Sequence, residues 1–342
     1  MRVFLTGGTG LIGRRLARRL IDRGDRPVIL SRRADRARLD PSLKGAEVVQ
    51  GDPTAPGPWD GALEGCDAVV NLAGHNLFAE RWDPETRRKI RDSRILATEN
   101  LVSAIARTSG RPKALVQGSA IGYYGPRGDE ELTEGASAGS DFLAGVCREW
   151  EDAARPAESL GLRLATVRTG IVLARGSGAL GVMTPIVKWL PGGAAPVGSG
   201  GKRFAPARGR QWMSWIHVDD IVGIFLLALD NPDARGPING TAPNPVQNAD
   251  FMRAMAKALW RPYAPWRVFI PFGPPDPALK LLLGDVAEII VEGQRVLPAK
   301  AQALGYSFRH PDLLAALRQI FGRPGPAPSD IKAGSKVGAM VG

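Results

Sequence analysis

Three glycines, Gly7, Gly10 and Gly13, stand at three-residue intervals between a short apolar run, Arg2–Leu5, and an amphipathic stretch, Leu11–Arg23. Few folds lead a strand so directly into a helix through such a turn. Gly7 permits the tight bend, Gly10 lets a ligand approach the backbone, and Gly13 lets the helix lie close to the strand. The unpaired amides at the helix start then form a site for a pyrophosphate. Leu11, Ile12, Leu16, Leu20 and Ile21 share one helical face, and Gly24 ends the helix at its C′ position.

The pattern repeats down the first half of the chain. Pro27–Leu30, Glu47–Gln50 and Ala68–Leu72 read as buried parallel strands. A helix over Pro84–Ala106, a strand over Ala114–Gln117, a helix over Glu149–Ser159 and a strand over Leu164–Arg168 follow. This alternation predicts an α/β fold, a Rossmann-type doubly wound parallel sheet with right-handed crossovers, plus a smaller, mostly helical C-terminal lobe. Beyond residue 170 the periodicity loosens. Residues 191–211 are rich in Gly, Pro and Arg and read as a long loop. Trp215–Val218 is strand-like. The helix Ile221–Leu229 follows, with Asp219 or Asp220 as its N-cap, and Phe251–Leu259 and Leu279–Leu283 are also helical. The expected division is a dinucleotide-binding domain over 1–245, a small substrate-side domain over 246–321, and a disordered tail over 322–342.

A chain of 342 residues, 44% of them hydrophobic, can bury one large core, or a core and a smaller lobe. The net charge is +11, yet no long basic run occurs. Arg14, Arg15, Arg18 and Arg19 cluster on the first helix, and Arg32, Arg33, Arg36 and Arg38 follow the second strand. This reads as a solvated arginine-rich surface or as a site for a phosphate-bearing ligand. No nucleic-acid motif is present, so no nucleic-acid partner is expected. Cys66 and Cys147 make neither a disulfide framework nor a metal spacing, so no metal site is expected. Glycine breaks the opening MRVFLTGG too early for a signal peptide, and the most apolar run, Ile221–Leu229, is shorter than a membrane span. The expectation is a soluble, cytoplasmic protein without an integral membrane segment, acting on a small-molecule substrate. Nothing in the sequence opposes an oligomer.

The end of the second strand selects the dinucleotide. An NAD(H) site usually carries Asp or Glu there, whereas this chain has Ser31-Arg32-Arg33. A guanidinium fork suits a 2′-phosphate, which favours NADP(H) over NAD(H). Asp52 is placed either to accept from an adenine amino group or to hold its own turn. Asn71-Leu72-Ala73-Gly74 ends the fourth strand in residues small enough for a cofactor to lie against the backbone. The candidate cofactor-binding set is Thr6, Gly7, Gly10, Leu11, Ile12, Gly13, Ser31, Arg32, Arg33, Asp52, Leu72, Ala73, Gly74, Ser119 and Arg168.

The run Thr6–Gly13, the Asn71–Gly74 segment, Ser119–Gly125 and Trp215–Asp220 stand in the order of the extended short-chain dehydrogenase/reductase superfamily, which the chain resembles. It is most similar to an atypical epimerase-like branch, often labelled nucleoside-diphosphate-sugar epimerase or cell-division-inhibitor-like. Arg81-Trp82, Ile90–Arg94, Trp150-Glu151, Gln211–Trp215, Ala242-Pro243, Arg261-Pro262 and Gly293–Pro298 carry that likeness over residues 1 to about 321. Gly201–Gly209 looks like an insertion beside a substrate loop.

The resemblance implies a Tyr-x-x-x-Lys pair and a Ser or Thr for proton transfer. The cation of the Lys lowers the Tyr pKa, and the Tyr serves as acid or base. Counting back from Glu151 puts Leu143 at the Tyr position and Cys147 at the Lys position, and neither can do the work. The Ser position falls on Ala120, with Ser119 one residue earlier. Two readings follow. Either the acid–base role has moved, with Tyr124, Tyr123 and Ser119 as catalytic candidates, or the protein binds NADP(H) without turnover as a redox-sensing or regulatory module. Glu149, Glu151 and His217 are weaker candidates. Cys147 reads as an inert buried thiol rather than a nucleophile, and His75 lies near the expected pocket. The first reading makes the chain an NADP(H)-dependent oxidoreductase or epimerase-like enzyme acting on a carbonyl, hydroxyl or sugar-nucleotide compound. The tryptophans of Trp212–Trp215 would either line a pocket or fill the core.

Overall fold

The computed structural model describes residues 1–77, 80–189, 209–263 and 293–322. Its centre is a seven-stranded, all-parallel sheet. Five strands come from the first part of the chain: β1 (Arg2–Thr6), β2 (Arg26–Ser31), β3 (Glu47–Gln50), β4 (Ala68–Asn71) and β5 (Ala114–Ala120). After a two-residue β6 (Glu131–Leu132), β7 (Arg163–Thr169) and β11 (Gly236–Gly240) complete it in the order β11-β7-β5-β4-β1-β2-β3. The strand order reverses at β1, which pairs with β2 on one side and β4 on the other. A crevice opens there above the carboxyl ends, the place where such sheets take ligands.

Strand pleating sorts the core into two layers. Val3 and Leu5 face α1 (Leu11–Asp22) and α7 (Val218–Asp230), packing with Leu16, Leu20, Ile221 and Phe225. Phe4, between them, points the other way onto Trp59, with the rings stacked at 6.1 Å. Leu101 and Ile105 of α3 (Pro84–Arg107) close that side. Truncating Phe4 to Ala in this layer costs about 3–5 kcal/mol. Gly24, at φ +88°, ends α1 as expected. The amides of Gly24 and Asp25 bond back to Ile21 and Leu20 in a Schellman closure.

Three differences from the sequence reading have physical causes. The helix expected over Glu149–Ser159 begins earlier, as α4 (Phe142–Ala154), because the Asp141 carboxylate accepts from the amides of Leu143 and Ala144; a short α5 (Pro156–Ser159) follows. The N-cap of α7 is His217, not Asp219 or Asp220, since its ring nitrogen accepts from the Asp219 amide. Asp220 turns inward instead and accepts from the amides of Arg309 and His310 at 2.8 and 2.9 Å. Finally, β11 (Gly-Pro-Ile-Asn-Gly), where the sequence reading places no strand, is held at the sheet edge by β7.

A second core gathers β8 (Ile171–Ala174), α6 (Gly178–Trp189), the short β9 (Trp212–Met213), β10 (Trp215–His217) and α8 (Asn248–Leu259), which follows the two-residue β12 (Val246–Gln247). The last described elements are β13 (Arg295–Val296), α9 (Ala299–Ala303) and α10 (Leu313–Ile320). This core takes Leu173, Leu180 and Trp215 from before residue 245, and Phe251, Met255 and Leu317 from after it. Trp215 is fully buried and its Nε1 donates to the Asn244 carbonyl, so it fills the core rather than lining a pocket. The expected insertion over 201–209 lies, but for Gly209, outside the described residues, as do the Leu279–Leu283 helix and all but the first residue of the tail. No helix among the described residues is long and apolar enough to cross a membrane.

Candidate cofactor-binding site

The glycine turn sits at the reversal point and its geometry is sterically closed behind and open in front. Gly7 has φ +64°, and a Cβ there would lie 2.4 Å from the Leu72 carbonyl oxygen. A Cβ on Gly13 would lie 2.3 Å from the Gly7 carbonyl oxygen, so only glycine lets α1 settle on the turn. A Cβ on Gly10 would meet nothing closer than the Gly7 oxygen at 3.2 Å, which leaves that face free for a ligand. Gly10 is also the N-cap of α1 and brings no capping side chain, and the first turn holds no acid. By contrast α3, α4 and α10 are each capped by an aspartate. The first amides of α1 therefore face the crevice with no carboxylate to satisfy them, which suits a pyrophosphate. Leu11 and Ile12 pack against the main core, and Leu11 lies beside Gly178 at the start of α6.

Beneath the turn, buried polar groups fix the strand ends. Thr6 Oγ1 accepts from the amides of Leu72 and Ala73 at 3.2 and 3.1 Å and donates to Asn71. Asn71 donates at 2.9 Å to both Thr98 and Gln117, and the Trp150 indole donates to Thr98 at 3.1 Å. This network ties β1, β4, β5, α3 and α4 at one level. A fully satisfied network of this kind rigidifies the edge on which a ligand rests. The sequence reading missed Thr98 and Gln117, whose positions in apolar surroundings were the available signal.

At the end of β2, Ser31 accepts from the Arg33 amide at 3.1 Å, and Gln50 holds the next turn through the Ala34 amide and the Arg32 carbonyl. Arg32, Arg33 and Arg36 then project from α2 (Ala34–Arg38) and its approach into a shallow cleft of 690 Å³, with Asp35, Arg38 and Gln50. Asp35 is paired with Arg38, while Arg32, Arg33 and Arg36 have no carboxylate partner among the described residues. Asp52 accepts from the amide and hydroxyl of Thr54 at 2.9 and 2.7 Å, which holds its turn through one carboxylate oxygen.

The catalytic candidates follow β5 and its carboxyl end into a hydrogen-bonded cluster. Ser119 donates to Glu151 at 2.7 Å. Arg168 grips the same carboxylate through Nε and Nη2, each at 2.8 Å, and donates to the Tyr124 hydroxyl at 3.0 Å. Tyr124 donates onward to Asn239 at 2.7 Å and is fully buried. Burial raises its pKa, against the opposing pull of Arg168. The half-buried Tyr123 has the Arg168 guanidinium over its ring, 3.4 Å from the centroid. Arg168 and Ser119 thus share the Glu151 carboxylate.

Leu143 and Cys147 do occupy the face of α4 that meets the end of β5. A Cβ on Gly122 would lie 3.4 Å from the Leu143 Cβ and 3.8 Å from the Cys147 sulfur. Burial and the nearby Glu151 push the Cys147 thiol up to about 12. Glu149 pairs on the surface with Arg91, and His75 Nε2 lies 3.0 Å from Glu80. Both ring nitrogens of His217 are engaged, Nδ1 by the Asp219 amide and Nε2 by Gln319 at 3.0 Å. Trp212 donates to Asp129 and lies under Arg295.

A parallel sheet whose order reverses beside a Gly-x-x-Gly-x-x-Gly turn, with no capping carboxylate at the helix start, defines a Rossmann protein of the dinucleotide-binding class. Residues 3–239 match the model of the NAD dependent epimerase/dehydratase family, and the chain belongs to that family. Residues 274–320 match a domain of unknown function, DUF1731. The chain is 40% identical to "Epimerase family protein SDR39U1 homolog, chloroplastic" of Arabidopsis thaliana, covering 94% of this chain and 86% of that one. It is 36% identical to the epimerase family protein YfhF of Bacillus subtilis, covering 94% and 98%. Among solved structures, human epimerase family protein SDR39U1 (isoform2) with NADPH is 33% identical, with a TM-score of 0.78 over 94% of this chain and 99% of that one.

Proposed function

We propose that the protein binds NADP(H), with the pyrophosphate on the Gly7–Gly13 turn and the 2′-phosphate against Arg32 and Arg33, and that it performs oxidoreductase or epimerase-type chemistry on a small carbonyl, hydroxyl or sugar-nucleotide compound. The observation that carries the cofactor is the pairing of an acid-free, uncapped helix start with exposed arginines at the end of β2 that have no carboxylate partner among the described residues. The human relative solved with NADPH supports the same choice. Thr6 and the Asn71 network fix the strand ends, and Leu72, Ala73 and Gly74 present backbone to the bound molecule. When bound, the nicotinamide supplies hydride transfer, which needs an open substrate space and one proton donor beside it.

A second reading, a binding module without turnover, is favoured by one observation: Leu143 and Cys147 stand where the family places its Tyr and Lys, and the Tyr124 hydroxyl is sealed against Arg168 and Asn239. Incubation of the full chain with NADPH and a broad panel of carbonyl compounds and sugar nucleotides separates the two. Consumption of NADPH, or epimerisation of a sugar nucleotide, with any compound establishes the enzyme. Tight NADPH binding with no turnover across the panel overturns it in favour of the module.

A further inference from the structure

The chain has only three histidines, and two of them meet. His217 ends β10 and caps α7, while His310 stands in the segment that leads into α10. Their ring centroids are 3.8 Å apart, with the planes tilted by 37°. In the first turn of α7, Asp219 Oδ2 lies 3.7 Å from His217 Nδ1 and 3.9 Å from His310 Nε2. One nitrogen of each ring and one Asp219 oxygen all lie within 4.8 Å of one another. Residue spacing does not point to such a cluster, because His217 and His310 are far apart in the chain.

The hydrogen bonds settle which atoms are available. The Asp219 amide donates to His217 Nδ1, so that nitrogen carries the lone pair. Nε2 then carries the proton and donates it to Gln319 Oε1 at 3.0 Å. A metal-ligating histidine is usually fixed in this way, with its far N–H held by an acceptor. The backbone of His310 is anchored by its amide to Asp220 at 2.9 Å, while its ring makes no hydrogen bond among the described residues. Asp219 has no Lys or Arg partner among the described residues. Its side chain is 41% exposed and that of His310 19%, which leaves a path from solvent.

The spacing fits a small ion. Zinc bonds imidazole nitrogen and carboxylate oxygen at about 2.0–2.2 Å, which places neighbouring donors of a tetrahedral site about 3.4 Å apart. The two separations from Asp219 exceed this by about half an ångström at most, within reach of a small rotation of that side chain. We propose that His217 Nδ1, the Asp219 carboxylate and His310 Nε2 bind one divalent ion of the zinc type, with the remaining position open to water. Two imidazoles and one carboxylate suit such an ion better than calcium or magnesium, which prefer oxygen. The ion replaces the Asp219 amide as partner of Nδ1, so α7 gives up one cap for three metal bonds. His217 and Asp219 belong to the segment that matches the epimerase/dehydratase family, and His310 to the segment that matches DUF1731. A bound ion therefore staples the two together. This inference is independent of the NADP(H) reading.

The test titrates the metal-free full chain with ZnCl2 by calorimetry. One Zn2+ should bind per chain with a Kd on the order of micromolar. Zinc at a hundredfold excess over that Kd should raise the melting temperature by about 4 °C. His310→Ala and Asp219→Asn each alter one donor at a solvent-facing position and should weaken binding at least about tenfold and shrink the melting shift. Asp219→Asn decides the matter if His310→Ala does not fold. His75→Ala, at the remaining histidine, should leave the Kd for zinc unchanged. Absence of one-to-one binding overturns the inference. So does an affinity that survives both His310→Ala and Asp219→Asn, or one that only His75→Ala reduces.

Discussion

Replacing Glu151 by Ala removes the only carboxylate on Arg168 among the described residues while leaving its guanidinium inside the fold. The two side chains are 10% and 4% exposed, and the carboxylate accepts two bonds from Arg168 and one from Ser119. Breaking a buried pair by deleting one partner costs about 3–5 kcal/mol, because the other charge stays desolvated. For a chain of 342 residues the unfolding entropy is about 0.7 kcal/mol per degree, so Glu151→Ala should lower the melting temperature by about 4–7 °C. Circular dichroism on heating reads this directly. Arg168→Met added to Glu151→Ala removes the stranded charge, and the double variant should melt above the single one. A Glu151→Ala protein that melts within about 1 °C of the parent would refute the structural reading of this cluster. A double variant that loses the sum of both single losses would refute it too.

Three further outcomes follow from the same geometry. Tyr124→Phe strands Arg168 and Asn239 and should cost about 1–3 kcal/mol in urea unfolding while NADPH binding is unchanged; a selective loss of turnover at unchanged stability would return Tyr124 to the chemistry. The Cys147 thiol, pushed up to about 12, should resist iodoacetamide at mildly alkaline pH in the folded chain and react once urea unfolds it, as mass spectrometry of the labelled peptide would show. Burial, then the adjacent His310, lowers the His217 pKa against the raising pull of Asp219 and Asp220, so the folded state favours the neutral ring. That stability is fully present above the ordinary His range and is lost as pH falls through the lowered folded value; His217→Asn should flatten the fall in urea midpoint on acidification, and an unchanged slope would contradict this.

The layout of the site was legible because it follows local rules. The spacing of Gly7, Gly10 and Gly13, the apolar runs of β1 to β5 and the face of α1 all express short-range sterics and periodicity. The Ser31–Arg33 signal was equally local, since it needs only the end of one strand. The closed cluster was not legible in this way. Ser119, Tyr124, Glu151, Arg168 and Asn239 come from five places in the chain, and only packing shows that their polar groups consume one another. The start of α4 was missed because Asp141 caps it ahead of a weakly periodic turn. His310 was not visible as a partner of His217 and Asp219, because only the packing of the segment before α10 against the start of α7 brings them together.

The central claim is that the arginines after β2 read a 2′-phosphate. Isothermal titration of the full chain with NADPH and with NADH, repeated on Arg32→Ala/Arg33→Ala, measures it. NADPH should bind at least about tenfold more tightly than NADH, with the double substitution erasing the difference by weakening NADPH alone. Equal affinity for the two, or a preference for NADH that the substitution leaves in place, would contradict it.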